Sequence, residues 1–234
     1  MHRISVSGLQ VDVVRKDIKN LHLGVYPPEG RIRVAAPLRV DDEAVRLMVI
    51  TKLPWIRRQQ TRFLAQERQS PREYTYRETH HLLGKGYLLN VIEGEGPSRV
   101  EVHDKAEIDL YVPVGSDAAR REQVMLRWYR KELKALIPPM IAKWQDIIGV
   151  TVDDWGVKRM KTKWGSCNIE ARRIWLNLEL VKKPVQCLEY IVVHEMVHLL
   201  ERNHTDRFRE LMDQFMPLWR HHRDMLNQAP LCHE

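Results

Sequence analysis

No apolar run in this 234-residue chain approaches the roughly 18 residues that a membrane-spanning helix needs; the longest, such as LMVI at 47–50 and YIVV at 190–193, are short. The opening segment MHRISVSGLQVDVVRKDIKN alternates polar and apolar residues and has no apolar stretch of the signal-peptide kind. Cysteine is scarce: Cys167, Cys187 and Cys232 are odd in number and far apart, so neither a disulfide framework nor a Cys-x-x-Cys knuckle is on offer. A glycine-rich phosphate loop is missing as well, since GKG at 84–86 is too short and no helix follows it. No internal repeat or low-complexity linker is visible. These absences point to a soluble, cytoplasmic protein with reduced thiols, and no membrane partner.

What is present is a 44% apolar composition, enough for one well-cored domain or two small ones. The formal charge is +7 and the sequence pI about 9.4. A basic balance favours acidic partners, whether nucleic acid, nucleotide phosphates or acidic protein surfaces; solubility alone is the plainer account.

The first 37 residues read as strands, with LHLGVY and RIRVAAP forming a hairpin around PPEG. Asp41 and Asp42 open a helical pattern that runs to about Gln69, with Pro54 starting a second piece. Residues 74–112 return to strands punctuated by Gly84, Gly86, Gly94 and Gly96. Ser116 or Asp117 caps a long helix to about Gly149, which Pro138 and Pro139 should kink or split. Strand-like pieces follow around Val152–Val157 and RRIWLNLEL, with WGSC as a turn between them. A helix begins near Pro184, and a last one runs from about Thr205 to Asn227. The fold class is α+β, with a boundary near residues 113–116 between a β-rich and a helix-rich half.

The chemistry lies in VVHEMVHLLERNHTDRF, residues 192–208. On a helix, residues four apart share a face, so His194 and His198 project toward one point. Glu195 lies about 100° round from His194 and can reach a water held there without being a ligand. Asn203 offers a left-handed stop, and Thr205 an N-cap for the next helix, with Asp206 in its first turn. His204 then sits on a tight corner and can swing back toward the two rings. Three histidines with one open position describe a catalytic zinc site, with Glu195 as general base. Cobalt, nickel or iron can occupy such a site too. Glu210 is a rival third ligand, or an acceptor for a ligand histidine. His80 and His81 face opposite ways on a strand and read as surface or packing residues; His221 and His222 read as solvated.

The second informative stretch is KRMKTKWGSCN, residues 158–168, within a segment (151–183) of eight Lys/Arg and four Asp/Glu. Lys161, Lys163 and Trp164 are the substrate-binding candidates. A strand here can pair with an extended substrate backbone, its cations can hold phosphates, or it is simply a solvated basic edge. Trp164 is either core or cleft lining. Cys167 reads as a buried thiol, or as a redox-sensitive ligand should it approach the metal.

Three stretches in order, APLRVDDEAVRLMVITKLPWIRRQ, KTKWGSCN followed by IWLNLEL, and YIVVHEMVHLLERNHTDRF, resemble the YgjP-like metallopeptidase-type family, bacterial relatives of the SprT-like and WLM zincin groups. The resemblance runs from about residue 10 to 228. It implies zinc ligands at His194, His198 and His204, the general base at Glu195, and a small zincin-like catalytic half. On that reading residues 1–114 are a β-rich N-terminal module with a helical insert and 115–234 the catalytic half. The spacing also resembles the metzincin pattern H-E-x-x-H-x-x-G-x-x-H, but Glu201 replaces its glycine and no Met-turn is recognisable. The leading expectation is a zinc-dependent hydrolase of peptidase type acting on a peptide or protein. The alternatives are a nucleoside triphosphate pyrophosphohydrolase (UTP to UMP, a label the family also carries) and a nucleic-acid-associated module with structural zinc.

Overall fold

A computed structural model describes residues 1–26, 29–65, 73–160 and 162–228. The chain divides into two compact units, residues 1–69 and 70–232. No described helix is long and apolar enough to cross a membrane.

The first unit holds β1 (His2–Val6), β2 (Leu9–Lys16), β3 (His22–Tyr26), β4 (Arg31–Pro37), α1 (Asp42–Thr51) and α2 (Leu53–Ala65). The sheet order is β1-β2-β4-β3, with β2 and β4 parallel and both outer pairs antiparallel. Alternation buries one face: Ile4, Val6, Val11, Val13, Ile32, Val34 and Ala36 form a core with Val45, Val49 and Ile56 of the helices. The Asp41 carboxylate accepts the Ala44 N–H and caps α1 as expected. Pro54 sits in the first turn of α2, where no N–H is needed. The expected β3–β4 hairpin forms; Pro27 and Pro28 of its loop lie outside the described residues.

The second unit begins with β5 (Thr79–Leu82), β6 (Lys85–Glu93), β7 (Arg99–His103), β8 (Glu107–Val112) and α3 (Ala118–Ile148). Its strand order, β5-β6-β8-β7, and its pairing senses are those of the first sheet. Equivalent positions lie 76 residues apart on β1, β2, β4 and the helix cap, and 77 apart on β3. The two-residue turn Ser7–Gly8 (φ 49° and 80°) matches Leu83–Gly84 (49° and 84°). Core Val13, Ile32 and Val34 match core Leu89, Ile108 and Leu110, and the cap Asp41 matches the cap Asp117. The ββββα frame is therefore repeated, although no repeat is visible in the residues. What recurs is apolar-or-polar and turn geometry, and many residue pairs satisfy each position.

After α3 come β9 (Asp154–Lys158), β10 (Gly165–Asn168), β11 (Arg173–Asn177), a 3-10 turn at Leu178–Lys182, α4 (Val185–Val197), α5 (Asp206–Phe215) and α6 (Trp219–Gln228). The third sheet runs β10-β11-β9, with β10 antiparallel and β9 parallel to β11. One core joins β5–β8, α3, this sheet and α4–α6. That shared core holds the second unit together.

Four local expectations are corrected. Pro138 and Pro139 do not split α3: both are exposed, so the carbonyls they leave unbonded face water, while Leu133 and Ile137 anchor the helix in the core. WGSC is not a turn, because residues 165–168 bond to β11 as a strand. Of RRIWLNLEL, only Arg173–Asn177 is strand; the Asn177 side chain accepts the Glu179 N–H and starts the 3-10 turn. The last helix is two, since Pro217 lacks an N–H and holds Met216 extended (φ −139°, ψ 77°).

On the outer face of the first sheet, Asp12 is only 4% exposed and accepts from Nε of both Arg3 (2.9 Å) and Arg31. These two guanidiniums hold its carboxyl below the usual carboxylate range. A depressed folded-state pKa gives stability that is present above the ordinary value of 3.8 and lost as pH falls through the folded value. Asp12→Asn is therefore expected to lower the unfolding midpoint at pH 7. The gap to wild type should narrow steadily below pH 3.8 in a pH series of thermal melts.

Candidate metal centre

His194 lies in the last turn of α4. His198 is its C-cap, still helical at φ −62° and ψ −18°, and its N–H reaches the His194 carbonyl at 3.3 Å. The two rings therefore share a face, with centroids 4.9 Å apart. The helix ends earlier than expected: bonds from Leu199 to Met196 and from Leu200 to Val197 tighten the turn at once. Asn203 is not left-handed; its N–H binds the Glu201 side chain at 3.1 Å. Thr205 then caps α5 as expected, its hydroxyl accepting the Phe208 N–H. This corner turns His204 back, so that its Nε2 lies 2.9 Å from His194 Nε2.

One ligand atom from each of His194, His198 and His204 falls within 4.8 Å of the others. Their common floor is Phe208, 2% exposed, with its ring centre 4.7–5.0 Å from all three imidazoles. Burial pushes the His194 pKa down to about 3, helped by its two histidine neighbours. Burial also lowers His198 and His204, the latter with help from Arg209. All three rings are thus held neutral near pH 7, the form in which imidazole ligates a metal. His198 Nδ1 lies 3.1 Å from the Glu201 carbonyl, which can only accept; the ring proton sits there and leaves Nε2 with its lone pair. Convergence, neutrality and a fixed tautomer fit a divalent metal.

Glu195 is 4% exposed, and burial pushes its pKa up to about 8 against the opposing charge of Lys163. It lies against Gly165 of β10: a Cβ there would sit 2.5 Å from Glu195 Oε1. Only glycine permits that approach. The loop before β10 is fixed by Asn177, fully buried on β11. Its amide donates to the carbonyls of Met160 (2.9 Å) and Lys163 (2.8 Å) and accepts the N–H groups of Met160 (3.3 Å) and Glu179 (3.2 Å). Gly165, Asn177 and Phe208 were not singled out in the sequence. The Trp-Gly pair that follows the basic run 158–163 and the Phe four residues after the last His of the cluster were their only signals.

A cleft of about 1050 Å³ opens here, between β10 and the C-terminal part of α4, with α6 contributing Arg223 and Asn227. Lys163 and Trp164 line it. Trp164 also packs on the core, with the Lys183 ammonium 5.8 Å from its ring centre, so both readings of it hold. Lys161 lies outside the described residues. Cys167 lines the cleft too, its thiol pushed up to about 11 by burial and by the Glu195 charge, hence protonated and unreactive at neutral pH. Glu210 is exposed and pairs with Arg207 at 3.2 Å, away from the cluster. His80 is buried beside Tyr74, a packing position, while His222 is half-buried rather than solvated.

The family model described as "YgjP-like, metallopeptidase domain" matches residues 19–229, across both units. The chain belongs to the YgjP-like family. No curated protein matches it significantly. YgjP-like membership makes the chain a metallopeptidase-type hydrolase and implies a metal cofactor, for which the three histidines are a fitting group.

Gly165→Ala is expected to destabilise the metal-free protein by about 1–3 kcal/mol, through forced displacement of Glu195. In a Glu195→Ala background the same change should be nearly neutral by thermal or urea unfolding. Equal losses in both backgrounds would mean that the two residues are not coupled.

Proposed function

We propose that this chain is a zinc-dependent peptidase in which His194, His198 and His204 hold the ion and Glu195 is the general base. The observation that carries this reading is a buried carboxylate beside three convergent, neutral imidazoles, with an open sheet edge alongside. Zinc bound there would supply Lewis acidity to a substrate carbonyl and lower the pKa of a coordinated water.

The rest is the work of the chain. Glu195 takes the proton of the attacking water and returns it to the leaving amine. Gly165 and Asn177 position it, the first by giving it room and the second by anchoring the loop that leads into β10. β10 is the outer strand of its sheet, with β11 on one side only, so its free edge can pair with an extended peptide. Lys163 and Arg223 line the same cleft, which favours substrates with acidic groups. Those cations are also what supports the second reading, hydrolysis of a nucleoside triphosphate.

Glu195→Gln is expected to keep its metal by elemental analysis and to lose at least about 100-fold in turnover of a quenched peptide library. Retained turnover would remove Glu195 from the role of base. His204→Ala should lower metal content, whereas Glu210→Ala should leave it unchanged. Phosphorus NMR with UTP and the same Gln variant decides between the readings. UMP and pyrophosphate from wild type alone would replace the peptidase with a nucleotide hydrolase.

A further inference from the structure

We propose that the outer face of the first sheet, β1-β2-β4-β3, binds single-stranded nucleic acid. This surface lies wholly in the first unit and owes nothing to the metal cluster. Residues 1–69 contain thirteen Lys/Arg against seven Asp/Glu, and so carry +6 of the chain's net +7. The helices α1 and α2 cover the opposite face, on which the apolar core lies.

The pairing register lays out the exposed side. One row across the strands reads Arg3, Asp12, Arg33, Gly24, and the next ends in Arg31 and Tyr26. Arg3 and Arg31 are 62% and 59% exposed while sharing Asp12, which spreads them over the surface. Arg33 stands exposed between Asp12 and Gly24 and has no polar partner among the described residues. Beside it lies an aromatic platform. The Tyr26 ring leans back over Gly24, where a Cβ would be 2.6 Å from its Cε2, so one ring face rests on the sheet. Tyr26 as a whole is 39% exposed. Cations around an open ring are the two elements of single-strand recognition: phosphates go to the former and a base stacks on the latter. A four-stranded face is about 14 Å across, the platform on which RNA-binding sheets stack two or three bases.

Two features argue that these residues are not merely solvating the surface. β4 is a central strand, so its arginines are not there to protect a sheet edge. The repeated frame supplies an internal control: the positions of Arg31, Arg33 and Gly24 are held by Glu107, Asp109 and Glu101 in the second sheet. The ββββα frame thus folds without a basic face, and the first copy alone has acquired one.

The test is fluorescence anisotropy of the intact protein with a labelled 15-mer of uridylate at 50–300 mM salt. Wild type is expected to bind with an affinity that falls as salt rises. Arg33→Glu should weaken it by about tenfold or more, and Arg33→Ala should reduce the salt slope by about 0.7. Tyr26→Ala should lose roughly tenfold and Tyr26→Phe should keep the affinity, since stacking needs the ring and not the hydroxyl. Melting midpoints confirm that the variants are folded, and Glu195→Gln should bind as wild type does, which separates this result from the hydrolase reading. No binding at 50 mM salt, indifference to Arg33→Glu, or equal affinity for Tyr26→Ala would overturn the proposal. So would equally tight binding of a duplex of the same length.

Discussion

A carboxylate with 4% exposure, packed on the backbone of a glycine, is the constraint around which the second unit is arranged. Burial raises the affinity of Glu195 for a proton, and burial needs a closely fitted wall. β10 is that wall, and it is a four-residue strand at the edge of a three-stranded sheet. So short an element cannot hold its own position. The Asn177 amide fixes the approach loop with every hydrogen-bonding site it has, and an aspartate there could not replace its two donated bonds.

The rest of the chain shows one frame used in two ways. In residues 1–69 the four strands and their helices make a small unit with its own core. In the second copy the helix after the strands extends to 31 residues, and its inner face meets α4 and the 3-10 turn as well as the sheet. The longer helix turns an isolated sheet into one layer of a larger core, against which the helix of His194 and Glu195 is seated. Proline in its middle is tolerable because that part of the helix is wet on one side and anchored on the other.

Much of this was legible in the residues. Period-two and period-3.6 patterns gave the strands and helices of both frames, and Asp41, Asp117 and Thr205 announced the helix starts. The histidine cluster was legible because its geometry is local: a four-residue spacing, a corner and a cap determine where the rings go. What was hidden depends on partners distant in sequence. WGSC looks like a turn until β11 pairs with it. Phe208 looks like one more core aromatic until the corner folds it under three imidazoles. The repeat was hidden because equal backbone geometry leaves side-chain identity almost free, and the basic face was hidden because register, not spacing, assembles it.

All three prospective ligands lie within eleven consecutive residues, 194–204, whereas the residues that position Glu195 come from 165 and 177. Bringing the three rings together closes only a short loop, and the entropy lost in doing so is small even in a partly folded chain. Placing Gly165 against Glu195 requires the third sheet to be complete. Gathering the three rings and seating Glu195 are consequently separable events. A chain damaged in the sheet can keep its histidine cluster while losing the seat of Glu195, and a nascent chain can gather the three rings before that seat exists.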